Sequence, residues 1–189
     1  MRFKRVITTF VSTVLLLGFA GCDAFGVRKA MGVMHDRIVN YNKALNELDY
    51  EAVRNLSDWT EADPDYAAVG ELFDTSYYGD AAGEGYTACT EYIASTIKID
   101  FNVTGVNIQY DHATLDVTYE MVDWQQVYSE THDSYDEVLE DLKNCPDKMA
   151  IVSEITFENV DGENDWRLCV LSDLGEVMSF VHSLPDVSG

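Results

Sequence analysis

The sequence predicts an α+β fold in which a strongly curved antiparallel sheet wraps around helices from the N-terminal half of the chain. Between residues 34 and 97, apolar residues recur every third or fourth position, as in amphipathic helices. Over residues 97–122 and 149–171 they alternate instead, as in strands with one buried face. No internal repeat and no shift in composition divides the chain, so we expect a single domain over residues 33–185.

The N-terminus has the features of a lipoprotein signal peptide. A basic start (residues 2–5) precedes an apolar run (residues 6–19) that is too short and wrongly flanked for a transmembrane helix. The run ends in Phe-Ala-Gly-Cys, which resembles the lipobox of bacterial lipoproteins, with Phe at the position where Leu is usual. We predict residues 1–21 as signal peptide, Cys22 as the lipid attachment site and residues 22–32 as a tether. An ordinary signal peptide cleaved nearby is the alternative.

Acyl chains on Cys22 would anchor the protein to a membrane without spanning it. The lipobox therefore predicts a bacterial cell-envelope protein on the outer surface of the membrane, with the membrane as its first partner. The sequence indicates no oligomeric state.

The charge of the chain is strongly acidic. Three of its 12 basic residues and none of its 34 acidic residues precede Cys22, so the formal charge changes from −22 to −25 once the leader is removed. Such a surface repels nucleic acid, which we exclude as a partner. Apolar residues still make up 47% of the chain, which excludes a disordered protein. Solubility outside the cell accounts for the charge, and an acidic docking face is the alternative.

Three helices are predicted before the first strand region, with a fourth, shorter one leading into it. The first starts near Met34, and its apolar stripe is Met34, Ile38, Tyr41, Leu45 and Leu48. Asp49 can cap the second helix, and Asp63 followed by Pro64 can start the third. A glycine-rich loop over residues 77–86 precedes the short helix.

Residues 97–122 are predicted to form a long antiparallel hairpin. The alternation changes parity between Val103 and Val106, at the Thr104-Gly105 step. One extra residue beside a glycine is typical of a β-bulge that bends a strand. We therefore predict a bulge at this step, with Gly105 in a positive-φ conformation.

After this hairpin we expect an extra helix in the segment of residues 124–144, and within that segment Ser134 and Glu137 form a capping box. A second hairpin follows, with its turn at residues 161–164 and Trp166, Leu168 and Val170 alternating in its last strand. Asp173 can then cap a C-terminal helix that ends before Pro185.

This order of elements resembles the nuclear-transport-factor-2-like, or cystatin-like, fold found in many secreted bacterial lipoproteins of unknown function. The resemblance lies in the segments YNKALNELDYEAVRNLSD, HATLDVTYEMVD and EITFENVDGENDWRLCVLSD. It implies a cone-shaped sheet around the helices, with a pocket at its open end. The residues expected to line that pocket are Phe101, Tyr110, Tyr119, Trp124 and Trp166. Buried tyrosines can equally fill a core.

Some proteins that this chain resembles are enzymes with a carboxylate and a tyrosine inside the cone. Here Asp100, Asp116 and Glu120 have the parity of the outer face. The four histidines are scattered without ligand spacing. We therefore predict no catalytic residue, no metal site and no cofactor. The acidic face of the 124–144 helix is interpreted as solvated, with cation binding as the alternative.

Two hypotheses for function follow from these features. The favoured one is a surface-anchored binding module for a small apolar ligand, a peptide or an envelope partner. The alternative is a small lyase or isomerase that uses a carboxylate and a tyrosine in the cone.

Three cysteines remain after Cys22, so at least one thiol has no partner within the chain. Cys89 and Cys145 lie near the ends of predicted elements, where disulfide geometry is more easily met than within a strand. We predict a Cys89–Cys145 disulfide with Cys169 left as a packed thiol. The alternative is that all three cysteines are reduced.

Overall fold

The computed structural model describes residues 24–60, 64–78, 83–160, 162 and 164–188. Its fold is α+β, with helices at the N-terminus followed by a mostly antiparallel sheet, which confirms the predicted class. The helices of the described residues are α1 (Ala24–Asn46), α2 (Tyr50–Leu56), α3 (Pro64–Glu71), α4 (Gly83–Ser95), α5 (Trp124–Tyr128), α6 (Tyr135–Asn144) and α7 (Leu174–Val177). The strands are β1 (Lys98–Phe101), β2 (Asn107–Gln109), β3 (His112–Val122), β4 (Thr131–His132), β5 (Lys148–Asn159), β6 (Trp166–Leu171) and β7 (Asp186–Val187).

The main sheet is open, with the order β1-β3-β5-β6, and β2 also pairs with β3. All 11 residues of β3 have antiparallel partners on β5, from His112 opposite Glu158 to Val122 opposite Lys148. A second, small sheet consists of β4 and β7, which are parallel. No described helix is both long enough and apolar enough to cross a membrane.

The core lies between the sheet and α1. Along β3, alternate residues from Ala113 to Met121 are buried, as the alternation predicts. On α1 the predicted stripe is confirmed at Met34, Ile38, Tyr41 and Leu45, which are all 0% exposed. Leu48 lies beyond the end of α1 and is only half-buried.

The first helix begins ten residues earlier than the sequence analysis places it. Residues 24–32, predicted as a tether, are helical, and Ala30 belongs to the core with 4% exposure. Ala30 is four residues before Met34 and therefore extends the same apolar stripe upstream. Cys22 lies outside the described residues.

The predicted bulge in the first hairpin is wrong. A 3₁₀ turn (Val103–Gly105) separates β1 from β2 instead. The side chain of Asn102 starts this turn by accepting hydrogen bonds from the backbone N–H and the hydroxyl of Thr104, at 3.0 and 2.7 Å. Gly105 has no positive φ, and a Cβ added to it would meet nothing within 4 Å. A polar side chain therefore makes the bend, and the glycine is not required for it.

The helix predicted over residues 124–144 is confirmed from its capping box at Ser134 to Asn144, as α6, but it does not extend over residues 124–133, because a short strand interrupts it there. The segment comprises α5, β4 and α6, and β4 pairs with β7 from the far end of the chain. The capping box is confirmed, since Ser134 Oγ accepts from Glu137 N at 3.3 Å. Glu137 Oε2 in turn accepts from Asp133 N at 2.7 Å.

The other predicted helix starts give mixed outcomes. Asp49 caps α2, accepting a hydrogen bond from Ala52 N at 2.9 Å. Asp173 precedes α7 but makes no side-chain cap and has a φ of +58°. Asp63 lies outside the described residues, as do two positions, 161 and 163, of the predicted β5–β6 turn.

A bulge interrupts the pairing of β5 with β6. Thr156 is opposite Val170 and Phe157 is opposite Leu168, which leaves Cys169 as an extra residue on β6. Val170 is therefore 50% exposed, although the sequence alternation predicts it to be buried with Leu168. An extra residue reverses which face the following side chains occupy.

Candidate functional site

The interior that was expected to hold a pocket is filled by side chains. Tyr41 of α1 and Tyr119 of β3 are both 0% exposed, and their hydroxyl oxygens are 3.4 Å apart. Burial raises the pKa of Tyr119 to about 12 and that of Tyr41 well above its usual value. Both are therefore neutral groups that fill the core and bond to each other.

Tyr110, also predicted to line a pocket, is fully exposed. It lies in the two-residue turn between β2 and β3, where Gln109 pairs with His112, and has a φ of +57°. Ile108 is the last residue of β2 that faces the core, and the turn that follows directs Tyr110 into solvent.

The other three predicted pocket residues pack against protein. Trp124 and Trp166 belong to the core at 6% and 3% exposure. Phe101 is half-buried, with its ring 5.5 Å from that of His35. None of the five predicted residues lines the open hollow that one face of α4 borders.

That hollow has a volume of about 450 Å³ and lies beside the C-terminal end of α1. It is bordered by the turn after α1, by the segment after α3 and by one face of α4. The lining residues are Asn46, Glu47, Leu48, Phe73, Thr75 and Glu91.

The wall of the hollow is held by the last turn of α1. Asn46 Nδ2 donates to the carbonyls of Ala94 and Ile97, at 2.7 and 2.9 Å, which ties α1 to the end of α4. Leu48 has a φ of +51°, and Asp49 N donates to the carbonyl of Ala44 at 2.9 Å. This is a Schellman-type ending with leucine in the position that glycine usually occupies.

The hollow combines apolar and acidic groups. Leu48 and Phe73 provide the apolar part, while the carboxylates of Glu47 and Glu91 are exposed. Glu47 lies 3.8 Å from Lys43 in an exposed ion pair, which contributes little. Such a lining suits a group that has an apolar body and a positive charge.

No carboxylate is buried among the described residues. The buried polar side chains there are Ser57, Thr90, His132 and Ser153. Asp100, Asp116 and Glu120 are exposed, as the strand parity predicts. Asp173, whose charge contributes to raising the pKa of Tyr119, is exposed, so a buried acid or base beside Tyr119, which would favour the lyase hypothesis, is not found in this part of the chain.

Three possible metal ligands converge on the outer face of the sheet, where the sequence predicts no metal site. Asp58 follows α2, Glu158 is on β5 and Cys169 is the bulge residue of β6. A hydrogen bond with Asp58 raises the pKa of Glu158 above its usual value. The residues are far apart in sequence, so no local spacing could have revealed them.

The predicted Cys89–Cys145 disulfide is not formed, and none of the three described cysteines is in a disulfide. The Cys89 thiol donates to the carbonyl of Tyr135 at 3.6 Å, and burial raises its pKa to about 11. The Cys145 thiol lies 3.8 Å from the carbonyl oxygen of Asp147. The alternative expectation, three reduced cysteines, is the one that the structure has.

Comparison with known proteins gives a uniform result. No protein-family model, no curated protein and no solved structure matches this chain.

Proposed function

We propose that this protein is a lipid-anchored envelope protein whose hollow binds a peptide segment of a partner. The segment would carry an apolar side chain next to a Lys or Arg. The observation that carries this proposal is the pairing of Leu48 and Phe73 with two exposed carboxylates in one hollow of about 450 Å³. Binding sites commonly have volumes of about 300–1,000 Å³.

The filled core favours a peptide over a small apolar ligand. A site for a small apolar molecule is concave and mostly apolar, whereas Tyr41 and Tyr119 occupy the interior here. The hollow is open, and four of its six lining residues are polar or acidic. The acidic surface of the whole chain would also attract a basic segment.

The position of the hollow suits an anchor at Cys22. Helix α1 starts two residues after Cys22 and has 23 residues, so it is roughly 35 Å long. The hollow lies at its other end, beside Asn46 and Glu47. An acylated Cys22 would therefore hold the membrane at one end of α1 and leave the hollow accessible at the other. The cone-shaped, cystatin-like arrangement and the relationship to nuclear-transport-factor-2-like proteins are part of this proposal.

The test is peptide binding to the full-length protein in detergent, measured by fluorescence anisotropy. Two short peptides differ only in having Lys or Glu beside a Leu, and we expect only the Lys peptide to bind. Glu47→Gln and Glu91→Gln should each weaken its binding by about two- to fivefold, because an exposed charge pair contributes up to about 1 kcal/mol.

Matched controls separate the hollow from the overall charge. Glu130→Gln and Glu140→Gln change the net charge equally, at exposed positions outside the hollow. The control variants should bind the Lys peptide as the unmodified protein does. If the control variants weakened binding of the Lys peptide as much as Glu47→Gln and Glu91→Gln do, the hollow would not be the recognition site. Equal binding of the Lys and Glu peptides would also rule it out.

A further inference from the structure

We propose that Asp58, Glu158 and Cys169 form a binding site for a single Zn²⁺ ion. One ligand atom from each residue lies within 4.8 Å of the other two, and Cys169 Sγ is 3.9 Å from Glu158 Oε2. In a tetrahedral site, Zn–S bonds of about 2.3 Å and Zn–O bonds of about 2.1 Å separate sulfur from oxygen by about 3.6 Å. Small side-chain adjustments are therefore enough for one ion to bond to all three.

Backbone contacts fix the three ligands relative to one another. Residues 57–59 lie along the free edge of β6, with Ser57 in a parallel bridge to Leu168. Asp58 N donates to the carbonyl of Leu168 at 3.0 Å, and Trp59 Nε1 donates to the carbonyl of Cys169 at 2.8 Å. The site is thus held by the sheet edge, which limits the conformational entropy lost on binding.

The thiol of Cys169 lies on the same face of the sheet as the carboxylate of Glu158. Cys169 follows buried Leu168 and so has the parity of the outer face, and the register shift makes it the extra residue of a bulge. Glu158 is adjacent to buried Phe157 and so has the parity of the outer face. Bulges commonly redirect one side chain next to a functional site.

One carboxylate oxygen of Asp58 is buried without a hydrogen bond. Its Oδ1 has less than 1 Å² of accessible surface and accepts no hydrogen bond in the structure. A buried acceptor without a partner is unfavourable, and more so when it carries charge. A cation between the carboxylates and the thiolate would provide the missing interaction.

The ligand set selects among cations. Ca²⁺ and Mg²⁺ prefer sites made wholly of oxygen, whereas a thiolate favours Zn²⁺ and similar softer ions. The thiol of Cys169 would release its proton to water as the Zn–S bond forms. Three protein ligands leave the fourth position to water, as in zinc sites that are open to solvent. This site does not involve the hollow, so either proposal can fail without the other.

The test uses the full-length protein in detergent, stripped with a chelator and titrated with Co²⁺ as a spectroscopic substitute for Zn²⁺. We expect a thiolate-to-cobalt absorption band that saturates at one equivalent and is removed by adding Zn²⁺. Cys169→Ser should abolish the band, and Asp58→Asn and Glu158→Gln should each weaken binding by at least about 10–100-fold, the usual cost of losing even a neighbour of a ligand. Cys145→Ser, which alters another half-buried thiol, should leave the titration unchanged.

Thermal unfolding with and without Zn²⁺ distinguishes a variant that has lost the metal site from one that does not fold. Asp58→Asn removes one of two adjacent like charges, so the metal-free variant should melt no lower than the unmodified protein. Zn²⁺ should raise the melting temperature of the unmodified protein and of Cys145→Ser, but not of Asp58→Asn or Cys169→Ser. A cobalt band that persists in Cys169→Ser, the absence of any band, or equal stabilisation by Mg²⁺ would overturn the proposal.

Discussion

The side chain of Asn42 accepts a hydrogen bond from the backbone N–H of Ile99 at 2.7 Å, which joins α1 to the edge strand β1. Its Nδ2 also donates to the carbonyl of Ile97 at 3.0 Å and to Asn46 Oδ1 at 2.7 Å. One amide thus pairs with backbone groups on both sides of Lys98, as a neighbouring strand would. This contact sets where the edge of the sheet meets the helix.

Asn42→Ala should therefore lower the free energy of unfolding by about 1–3 kcal/mol, because it leaves the partly buried N–H of Ile99 without its partner, while the carbonyl of Ile97 keeps its bond from Asn46. Urea unfolding followed by circular dichroism measures the change. Asn107→Ala is the control: this exposed residue of β2 should change stability by less than about 0.5 kcal/mol. Equal effects of the two substitutions would mean that the Asn42 bonds contribute nothing.

The buried Tyr41–Tyr119 pair should show strong non-additivity. Either Tyr→Phe substitution leaves the other hydroxyl buried and unpaired, which costs about 1–3 kcal/mol, whereas replacing both can be nearly neutral. A double-mutant cycle by urea unfolding tests this. Additive losses in Tyr41→Phe/Tyr119→Phe would show that the hydroxyls do not interact.

The same pair predicts loss of stability at alkaline pH. In the unfolded chain Tyr119 ionises near its ordinary pKa of 10.0, while burial raises the folded-state value to about 12. Above pH 10 the folded state therefore binds more protons than the unfolded state, so the free energy of unfolding falls as pH rises towards 12. Between about pH 9 and about pH 11, Tyr119→Phe should lose less stability than the unmodified protein. A parallel decline of both proteins would contradict this assignment.

Replacing Tyr110 by glycine should stabilise the protein. Its φ of +57° is strained for a residue with a side chain, and the ring is fully exposed and contributes no burial. Tyr110→Gly should raise the free energy of unfolding by up to about 1 kcal/mol, as glycine adopts positive φ without steric cost. Tyr110→Val, which is β-branched, should instead lower it, and melting temperatures of the two variants give the comparison.

The lipid anchor at Cys22 can be tested directly. Intact-mass measurement of membrane-extracted protein should show a diacyl or triacyl addition that is absent from Cys22→Ser. The variant should also leave the membrane fraction, because the acyl chains are the expected anchor. A mature N-terminus several residues from Cys22 would rule out the lipobox interpretation.

The sequence by itself determined the features that depend on short-range spacing. The stripe from Met34 to Leu45 and the alternation along β3 predicted the correct buried faces, because helical and strand periods assign each side chain to a face. The capping box of Ser134 and Glu137 was also predictable, since its partners are three residues apart.

Only the tertiary structure decided the features that depend on pairing between distant segments. Strand β4 divides the predicted helix because β7, from the end of the chain, pairs with it. The bulge at Cys169 arises from the register of β5 with β6, and the bridge from Ser57 to Leu168 brings Asp58 to that thiol. The bridge between Ser57 and Leu168 joins residues more than 100 positions apart, and local periodicity carries no information about which strands meet or in what register.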